Sequence, residues 1–425
     1  MHIEELYKIY LANPSVQTDT RKLKKGDIFF ALKGPSFNGN DFAKQALESG
    51  AAYAVADEKK DDDDRIILVE DSLITLQQLA KHHRLQFKEV PFIGITGSNG
   101  KTTTKELLHA VLSSSFITYT TTGNLNNHIG VPLTILKIRN DAQMAIIEMG
   151  ANHMREIAGY CEYALPTHGL ITNCGKAHLE GFGSEENIKK AKGELYDHLR
   201  NNNGTAFIMW DYDYLKEMSK GILKIISYGT HDAQVNGQSI SSSGFLEVKI
   251  DGDEKLNSIK TKLVGDYNLP NVLAAVAVGK YFKVPDEKTL ASLENYAPSN
   301  SRSQLITKGT NTFILDAYNA NPTSMKAAIE NFAKMPGEQK ILLLGGMMEL
   351  GAGSINEHQN IISLIEKYPW EKVVLVGGDF SKTKHSFIGF NNSVEAREWF
   401  QNNQFENRKF LIKGSRSTQM EKIIE

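Results

Sequence analysis

The amino-acid sequence predicts an α/β protein of three domains, and three observations lead to this prediction. The chain has 425 residues, more than a single hydrophobic core usually supports. From residue 92 to about 300, apolar strand-like runs alternate with helical stretches, which is the pattern of a parallel sheet covered by helices. After residue 301 a second series of this kind begins, which indicates a small doubly wound domain.

The predicted domains are residues 1–88, 89–300 and 301–425. We expect the first to be a small mixed α/β domain with a strand in Gly26–Leu32 and a helix in Asp41–Ala51. The second should hold a parallel sheet around a phosphate-binding loop (P-loop), with an antiparallel edge within Ser227–Val264. The third should be Rossmann-like. The predicted strands of the last two domains are PFIGIT, MAIIEMG, HGLITN, TFILDAY, KILLLGG, KVVLVGG and KFLIKG.

The composition favours a cytoplasmic enzyme. Hydrophobic residues make up 41% and charged residues 23% of the chain, with a formal net charge of −2, so charge alone suggests no nucleic-acid or membrane partner. The two cysteines fit a reducing compartment. The first residues, MHIEELYKIYLANPSV, do not resemble a secretory signal, and no apolar run approaches the ~20 residues of a membrane helix. We expect a monomer.

The stretch FIGITGSNGKTTTKELL, residues 92–108, predicts a nucleotide site. It fails the strict pattern G-x-x-x-x-G-K-[ST] because Ile95 stands where the first glycine belongs. Nevertheless a strand, a tight glycine turn, Lys101, Thr102 and an amphipathic helix follow one another in register. That arrangement points backbone N–H groups at a phosphate, with the lysine on the β- and γ-phosphates and the threonine on Mg²⁺. The predicted loop residues are Thr96, Gly97, Ser98, Asn99, Gly100, Lys101, Thr102 and Thr103.

Two polar residues follow other predicted strands. Glu148 ends the strand MAIIEMG, and a carboxylate at the carboxyl end of a parallel strand faces the nucleotide crevice. One or two carboxylates with phosphate oxygens form a usual Mg²⁺ site. His178 comes shortly after the strand HGLITN. Taken alone, it could equally be a packed or surface histidine.

Lys192 lies on the apolar side of a predicted helix. Ile188, Leu195 and Leu199 share its helical stripe at spacings of three and four residues. A lysine in this place either extends its ammonium to the rim of the helix or has its amine shifted toward the neutral form by desolvation. A neutral amine can capture CO₂ and become a carbamate, which is an anion able to bind metal. The sequence leaves both alternatives open.

The loop GITGSNGKTTT resembles that of the Mur ligase family, which makes amide bonds by activating a carboxylate with ATP and also includes folylpolyglutamate synthetase. The resemblance implies ATP and two Mg²⁺ ions as cofactors, and a CO₂-derived carbamate on Lys192. It implies that the metal-binding residues are Thr102, Glu148, His178 and Lys192. The implied catalytic residues are Lys101, Glu148, His178 and Lys192.

The resemblance extends to the far end of the nucleotide. It implies asparagines near the adenine, a ribose contact from an aspartate at a strand end, and an arginine at the junction of the second and third domains. Helix capping and an Asx-turn before Pro322 are the structural alternatives. The implied ATP-binding residues, beyond the loop, are Asn268, Asn271, Arg302, Asp316, Tyr318 and Asn319.

Within the family, YNANP and KGSR are most similar to the branch that joins D-alanyl-D-alanine to UDP-N-acetylmuramoyl (UDP-MurNAc) tripeptide. These two small molecules are therefore the expected substrates. The implied UDP-substrate residues of the first domain are Thr20, Arg21, Lys33, Asn38 and Gly39. The implied peptide-substrate residues are Asn124, Asn126 and Asn127, for which a turn is the alternative.

Five positions depart from the family pattern. Gly346 replaces an aspartate, Tyr267 a histidine, His128 a glutamate, Asn38 an aspartate and Asn40 a histidine. Two alternative functions also stay open. One is another ligase of this family that adds a single amino acid to a UDP-MurNAc-peptide, or glutamate to folate. The other is a P-loop ATPase or binding module without ligation.

Overall fold

The structure is a computed structural model that describes residues 2–241, 244–299 and 301–425. Its sheets are mostly parallel and covered by helices, which confirms the predicted α/β class. We refer to residues 2–84 as the N-terminal region, 92–295 as the central region and 301–425 as the C-terminal region. No helix in the described residues is both long and apolar enough to cross a membrane.

The N-terminal region contains a parallel sheet in the order β1-β2-β5-β6 and a separate β3-β4 hairpin. Its strands are β1 Val16–Gln17, β2 Ile28–Phe30, β3 Lys33–Gly34, β4 Phe37–Asn38, β5 Tyr53–Ala56 and β6 Ile66–Leu68. Its helices are α1 Ile3–Ala12, α2 Ala43–Glu48 and α3 Ser72–Arg84. The predicted strand and helix are thus confirmed as β2 and α2, the latter preceded by the 3₁₀ turn Gly39–Phe42.

The central region is built on one large sheet, in the order β15-β14-β13-β12-β11-β10-β7-β9-β8. Its strands are β7 Phe92–Thr96, β8 Thr118–Thr120, β9 Met144–Glu148, β10 His168–Ile171, β11 Thr205–Met209, β12 Lys224–Gly229, β13 Val235–Ser239, β14 Phe245–Ile250 and β15 Ile259–Val264. Its helices are α4 Lys101–Ser113, α5 Gly130–Ile135, α6 Glu156–Ala164, α7 Leu179–Phe182, α8 Glu185–Asn201, α9 Asp213–Met218, α10 Leu269–Tyr281 and α11 Asp286–Asn295.

The strands from β8 to β12 pair in parallel, and β13, β14 and β15 pair antiparallel. This confirms the predicted antiparallel edge, of which residues 242 and 243 lie outside the described residues. The central strands read as continuous apolar runs because helices cover both faces of the sheet. For example, every residue of β7 and of β9 is buried.

The C-terminal region holds a sheet in the order β16-β17-β21-β18-β19-β20, parallel except for the edge pair β16-β17. Its strands are β16 Gln304–Lys308, β17 Asn311–Asp316, β18 Lys340–Gly345, β19 Lys372–Val376, β20 Ile388–Phe390 and β21 Lys409–Lys413. Its helices are α12 Pro322–Lys334, α13 Ser354–Ile365 and α14 Ser393–Asn402.

Two hydrophobic clusters cover opposite faces of that C-terminal sheet. Leu342 and Leu344 of β18 pack with α12 and α13, whereas Ile341 and Leu343 pack with α14 and the C-terminal turn. Successive side chains of a strand point to opposite faces, so β18 is buried on both sides. The predicted doubly wound arrangement is confirmed.

Arg84 ties the N-terminal and central regions together. Its guanidinium donates to the backbone oxygens of Ala164, Phe87 and Leu165 at 3.1, 2.7 and 3.1 Å, and stacks 3.7 Å above the Phe92 ring. Desolvation lowers the pKa of Arg84 to about 10. One hydrophobic cluster runs through both regions. The domain division at 88/89 and 300/301 stays a prediction, and residues 1 and 300 lie outside the described residues.

Candidate active site

A cleft of about 1300 Å³ lies at the carboxyl ends of the central strands and is bordered by the C-terminal region. Strand β7 runs between β9 and β10, so the loops that follow these three strands meet at one edge of the sheet. The predicted residues that line this cleft are Ser98, Asn99, Gly100, Lys101, Thr102, Thr103, Asn124, Asn126, Asn127, Glu148, His178, Asn268, Asn271, Arg302, Asp316, Tyr318 and Asn319.

The P-loop geometry explains why the strict sequence pattern fails. Ile95 is fully buried within β7, where it pairs with Leu170, so no turn is needed at this position. The turn falls at Gly97 and Gly100, whose φ angles are +142° and +82°. A Cβ on Gly97 would also lie 2.0 Å from the hydroxyl of Thr172. Glycine is therefore required two residues later than in the strict pattern.

Lys101 folds back over this loop. Its Nζ donates to the carbonyl oxygens of Gly97 and Ser98 at 2.6 and 3.3 Å. Desolvation lowers the pKa of Lys101, an effect that Glu148 opposes by its charge. Both hydrogen-bond partners are uncharged carbonyls, so among the described residues the half-buried ammonium has no anion bonded to it, and phosphate oxygens at the start of α4 would supply one.

Glu148 ends β9 at the floor of the cleft, with 1% of its surface exposed. Its Oε1 accepts hydrogen bonds from the Thr102 hydroxyl at 3.2 Å and from the Asn126 amide at 2.8 Å. Its Oε2 is buried without a hydrogen-bond partner. A buried carboxylate oxygen without a hydrogen-bond partner, beside a threonine hydroxyl, is a donor set that suits Mg²⁺.

Lys105 is a site residue that the sequence analysis missed. It lies on α4 with 3% exposure, and its Nζ is 3.9 Å from Oε2 of Glu148 and donates to the Thr121 carbonyl at 2.8 Å. The hydroxyl of Thr121 in turn accepts from the Glu148 N–H at 2.9 Å. Lys105 comes three residues after Thr102 on the same face of α4, and this spacing could have indicated Lys105 as part of the site.

We expect Lys105→Met to destabilise the protein by roughly 3–5 kcal/mol, because it leaves the buried Glu148 charge without its cation. Glu148→Gln in the same chain should recover a large part of that loss. Urea unfolding of the two single variants and the double variant measures the coupling. Additive effects in this cycle would contradict a direct pairing of the two side chains.

Lys192 is buried on α8, with 1% exposure, so the alternative of an ammonium at the helix rim is wrong. Its Nζ donates to the Ala151 carbonyl at 3.1 Å and lies 5.1 Å from the centre of the Phe182 ring. Desolvation, followed by the charge of Lys101, lowers the pKa of Lys192 to about 7. Burial therefore favours the neutral amine, which is the direction that desolvation predicts. Ala151 lines the cleft, so Lys192 lies directly behind the cleft wall.

His178 lies at the start of α7 in the left-handed conformation, with φ of +52°. Its Nδ1 contacts Oε2 of Glu349, from the C-terminal region, with angles that do not form a regular hydrogen bond. The neighbouring His178 lowers the pKa of Glu349. In the described residues no group of three or more His, Cys, Asp or Glu side chains could hold a metal ion. A metal site here would therefore depend on Thr102, Lys192 and phosphate oxygens as well.

The two predicted adenine-side asparagines support the P-loop from behind. Asn271 accepts from the Thr104 hydroxyl at 3.0 Å and donates to Asn268 at 2.9 Å, and Asn268 donates to the Val264 carbonyl at 2.9 Å. A Cβ on Gly100 would lie 2.7 Å from the Asn271 side chain. Asn268 precedes α10 without capping it through its side chain.

The predicted residues of the C-terminal region form a polar cluster on the opposite wall. The Arg302 guanidinium stacks 3.7 Å above the Tyr318 ring. Asp316 accepts from Lys413 at 2.5 Å and from the backbone N–H of Ser303 at 3.1 Å. Lys413, with 2% of its side chain exposed, was missed, although a lysine at the end of the apolar strand KFLIKG is a signal of the same kind as Glu148.

Hydrogen bonds involving Asn321 and Thr323 connect this C-terminal wall to the central loops. Asn321 donates from Nδ2 to Oδ1 of Asn99 at 2.7 Å while its own Oδ1 caps α12. The Lys176 N–H donates to the Thr323 hydroxyl at 2.9 Å. Asn321 therefore serves as a helix cap and contacts the P-loop at the same time.

The asparagine loop between β8 and α5 also has a turn role, since Asn127 accepts from the Gly130 N–H at 2.8 Å.

The remaining predicted residues do not line the cleft. Thr96, Gly97 and Lys192 lie behind its wall. The UDP-substrate candidates lie in the N-terminal region and are paired with other groups. Arg21 contacts Asp19 at 2.8 Å, Lys33 contacts Asp57 and Glu58 at 2.9 Å each, and Asn38 donates to Glu58 at 2.9 Å. Lys33, Asn38 and Gly39 adjoin in one hairpin, and Thr20 and Arg21 lie on a separate 3₁₀ turn.

Two departures from the family pattern have a local explanation. A Cβ on Gly346 would lie 2.6 Å from the Cα of Gly378, so this backbone has no room for an aspartate. The Tyr267 hydroxyl pairs with the Ser303 hydroxyl at 2.8 Å, which connects the central and C-terminal regions. His128 lines the cleft, and nothing in the structure explains its replacement of a glutamate.

Comparisons with known proteins agree with these observations. Family profiles match at residues 14–84 (Mur ligase family, catalytic domain), 95–279 (Mur ligase middle domain) and 301–399 (Mur ligase, glutamate ligase domain). The UDP-N-acetylmuramoyl-tripeptide–D-alanyl-D-alanine ligase of Bacillus subtilis (strain 168) is 35% identical, covering 100% of this chain and 97% of the relative.

Two crystal structures are similar over the whole chain. MurF from Acinetobacter baumannii has a TM-score of 0.87 at 31% identity, covering 98% of this chain and 97% of that one. MurF ligase from Thermotoga maritima, in complex with ADP, has a TM-score of 0.87 at 26% identity, covering 97% of each chain. The chain belongs to the Mur ligase family.

Proposed function

We propose that this protein is an ATP-dependent ligase that joins D-alanyl-D-alanine to UDP-MurNAc-tripeptide through an acyl phosphate. The observation that carries the proposal is the convergence of the P-loop, Glu148 and the Asp316–Lys413 pair on one cleft between two regions of the chain. Full-length relatives with this activity in their names support the choice of substrates. A relative solved with ADP supports the nucleotide.

In this proposal the triphosphate lies along the P-loop. Lys101 turns from the carbonyls of Gly97 and Ser98 to the β- and γ-phosphates. Thr102 and Oε2 of Glu148 would hold one Mg²⁺, and Glu148 with His178 and modified Lys192 would hold or position a second. Bound Mg²⁺ would supply charge neutralisation at the phosphoryl oxygens. The arginine stacked on Tyr318, together with Asn268 and Asn271, would contact the base, and Asp316 and Asn319 the ribose side.

Lys192 is proposed to carry a carbamate. Its amine is largely desolvated, and a pKa of about 7 leaves a substantial neutral fraction at neutral pH, which is the form that reacts with CO₂. The reaction joins the amine nitrogen to the carbon of CO₂ and releases one proton. The resulting anion would lie near Lys101, whose charge now depresses the pKa of Lys192.

The chemistry proceeds in two steps. The terminal carboxylate oxygen of UDP-MurNAc-tripeptide attacks the γ-phosphorus, a new O–P bond forms, and ADP leaves with its bridging oxygen. The amine of D-alanyl-D-alanine then attacks the acyl carbon, inorganic phosphate leaves, and the nitrogen loses a proton. Side chains of the protein contribute positioning and electrostatic stabilisation, with no covalent intermediate on the protein. Because the reaction consumes ATP and a nucleotide sugar, we place it in the cytoplasm.

A substrate panel tests the proposal directly. We expect release of ADP and phosphate only when UDP-MurNAc-tripeptide, D-alanyl-D-alanine, ATP and Mg²⁺ are all present, with the pentapeptide product seen by mass spectrometry. Turnover with a UDP-MurNAc-dipeptide and a free amino acid would instead indicate a different ligase of the family. ATP hydrolysis at the full rate without either substrate would indicate an ATPase and contradict ligation.

A further inference from the structure

We propose that Glu349 is a positioning residue: the C-terminal region supplies its carboxylate to orient the imidazole of His178 in the phosphate site. The inference rests on the proposed function, because His178 is a site residue only if the cleft binds ATP. Glu349 belongs to neither the P-loop nor the central sheet, so the C-terminal region would contribute a residue to the phosphate site. The contact between His178 Nδ1 and Glu349 Oε2 is its starting point.

The backbone at both residues is unusual. His178 and Glu349 have φ angles of +52° and +61°, in the left-handed region that non-glycine side chains seldom occupy. Such a conformation is unfavourable for a side chain with a Cβ and persists only where the surroundings hold it. Two residues in this conformation face each other across an interface, which indicates that the pairing of their side chains is specified by the fold on both sides.

Backbone contacts bring the two segments together. The Glu180 N–H, two residues after His178, donates to the Glu349 carbonyl at 3.1 Å. A Cβ on Gly351 would lie 3.4 Å from the Cα of Glu180. The loop after β18 therefore packs directly on the first turn of α7. Because this packing fixes the backbone, the Glu349 carboxylate reaches the imidazole without further movement of the chain.

The chemistry of the pair determines what the imidazole can do. An ionised carboxylate only accepts hydrogen bonds, so it favours a hydrogen on Nδ1 of His178. In the neutral ring Nε2 then carries the lone pair, the arrangement found when a histidine ligand has its other nitrogen held by a carboxylate. His178 lines the cleft, so Nε2 is the nitrogen left for the bound nucleotide and its metal. Glu349 thereby couples the position of the C-terminal region to the state of the phosphate site.

The alternative is that Glu349 only helps to hold the central and C-terminal regions together. The same interface provides a matched control for this alternative. Lys176 and Glu357 also pair across the two regions, at 2.9 Å, and neither residue lines the cleft. The Glu357 pair therefore contributes the same kind of interface contact without touching a predicted site residue. If adhesion were the whole role, removal of either carboxylate would have a similar effect.

The test compares Glu349→Ala, Glu349→Gln and Glu357→Ala in the full-length enzyme, with kcat and the KM values for ATP and Mg²⁺ measured by product formation. We expect Glu349→Ala to lower kcat by roughly 10–100-fold and to raise the Mg²⁺ requirement. Glu349→Gln, whose amide oxygen can accept from Nδ1, should recover most of the activity, and Glu357→Ala should leave kcat within about twofold of wild type. Equal losses in Glu349→Ala and Glu357→Ala, or an unchanged Glu349→Ala, would overturn the inference.

A second comparison shows whether Glu349 acts through His178. In a His178→Ala background, Glu349→Ala should cause no further loss of kcat, whereas independent effects that multiply would overturn the inference. The ¹⁵N spectrum of the labelled histidines, with His178 assigned by the His178→Ala variant, should show the Nδ1–H tautomer in wild type and its loss in Glu349→Ala. This spectrum does not depend on turnover. A wild-type protein without ligase activity therefore contradicts the proposed function, while an unchanged spectrum contradicts the role of Glu349.

Discussion

Lys101→Ala should lower the turnover of the ligation reaction by roughly 10²–10³-fold, judged from the loss of single electrostatic donors in other enzymes. The half-buried ammonium donates to the uncharged carbonyls of Gly97 and Ser98, and phosphate oxygens would be stronger partners. The variant loses the charge that stabilises the phosphoryl oxygens during acyl-phosphate formation. Product formation under saturating substrates measures the effect on kcat.

The control for this variant is Lys137→Ala, since Lys137 is an exposed lysine of the same central region. It should keep wild-type turnover. Thermal unfolding of both variants separates loss of chemistry from loss of fold. Near-normal kcat in a folded Lys101→Ala protein would remove the P-loop lysine from the mechanism.

Lys192→Met should lower turnover to an extent similar to Lys101→Ala. Unlike that variant, it should also make the protein more stable. Methionine fills a similar volume but cannot form a carbamate, so the proposed metal-binding anion is lost. The lowered pKa of about 7 means that the folded protein binds this proton less tightly than the unfolded chain does, so the lysine destabilises the fold at neutral and acidic pH. Its removal should stabilise the protein by on the order of 1 kcal/mol or more.

The stabilisation by Lys192→Met should depend on pH. Below pH 7 the stabilisation by Lys192→Met should be largest, and it should shrink as pH rises from about 7 toward the ordinary lysine pKa, where the unfolded chain also loses the proton. Urea unfolding at several pH values measures it. Lys190→Met, an exposed position on α8, serves as the control and should change neither stability nor turnover appreciably. A full-rate Lys192→Met enzyme would contradict the assignment.

Carbamylation can be measured directly by ¹³C NMR of protein equilibrated with ¹³C-bicarbonate. Wild type should show a carbamate resonance that is missing from Lys192→Met and kept in Lys190→Met. A wild-type spectrum without this resonance, under conditions where the enzyme turns over, would show that Lys192 acts as an amine.

Local sequence signals determined much of the site. The glycine turn followed by Lys101 and Thr102, and the carboxylate at the end of an apolar strand, predicted residues that do line the cleft. The stripe of Ile188, Leu195 and Leu199 predicted that Lys192 lies on the apolar side of its helix, and the structure decided that it is buried. These inferences succeeded because the periodicity of a helix or strand fixes which side of an element each residue occupies.

Only the tertiary structure decided which of these residues meet residues elsewhere in the chain. Asn99 and Asn321 are 222 positions apart, and Glu148 meets Lys105 from a different strand-and-helix unit. Glu349 contacts His178 where two segments with left-handed backbone, one from the central and one from the C-terminal region, pack together. Periodicity describes one element at a time, whereas these pairings depend on strand order and on how two regions pack. For that reason the sequence by itself determined the elements and most of the chemical groups, and the fold alone decided their partners.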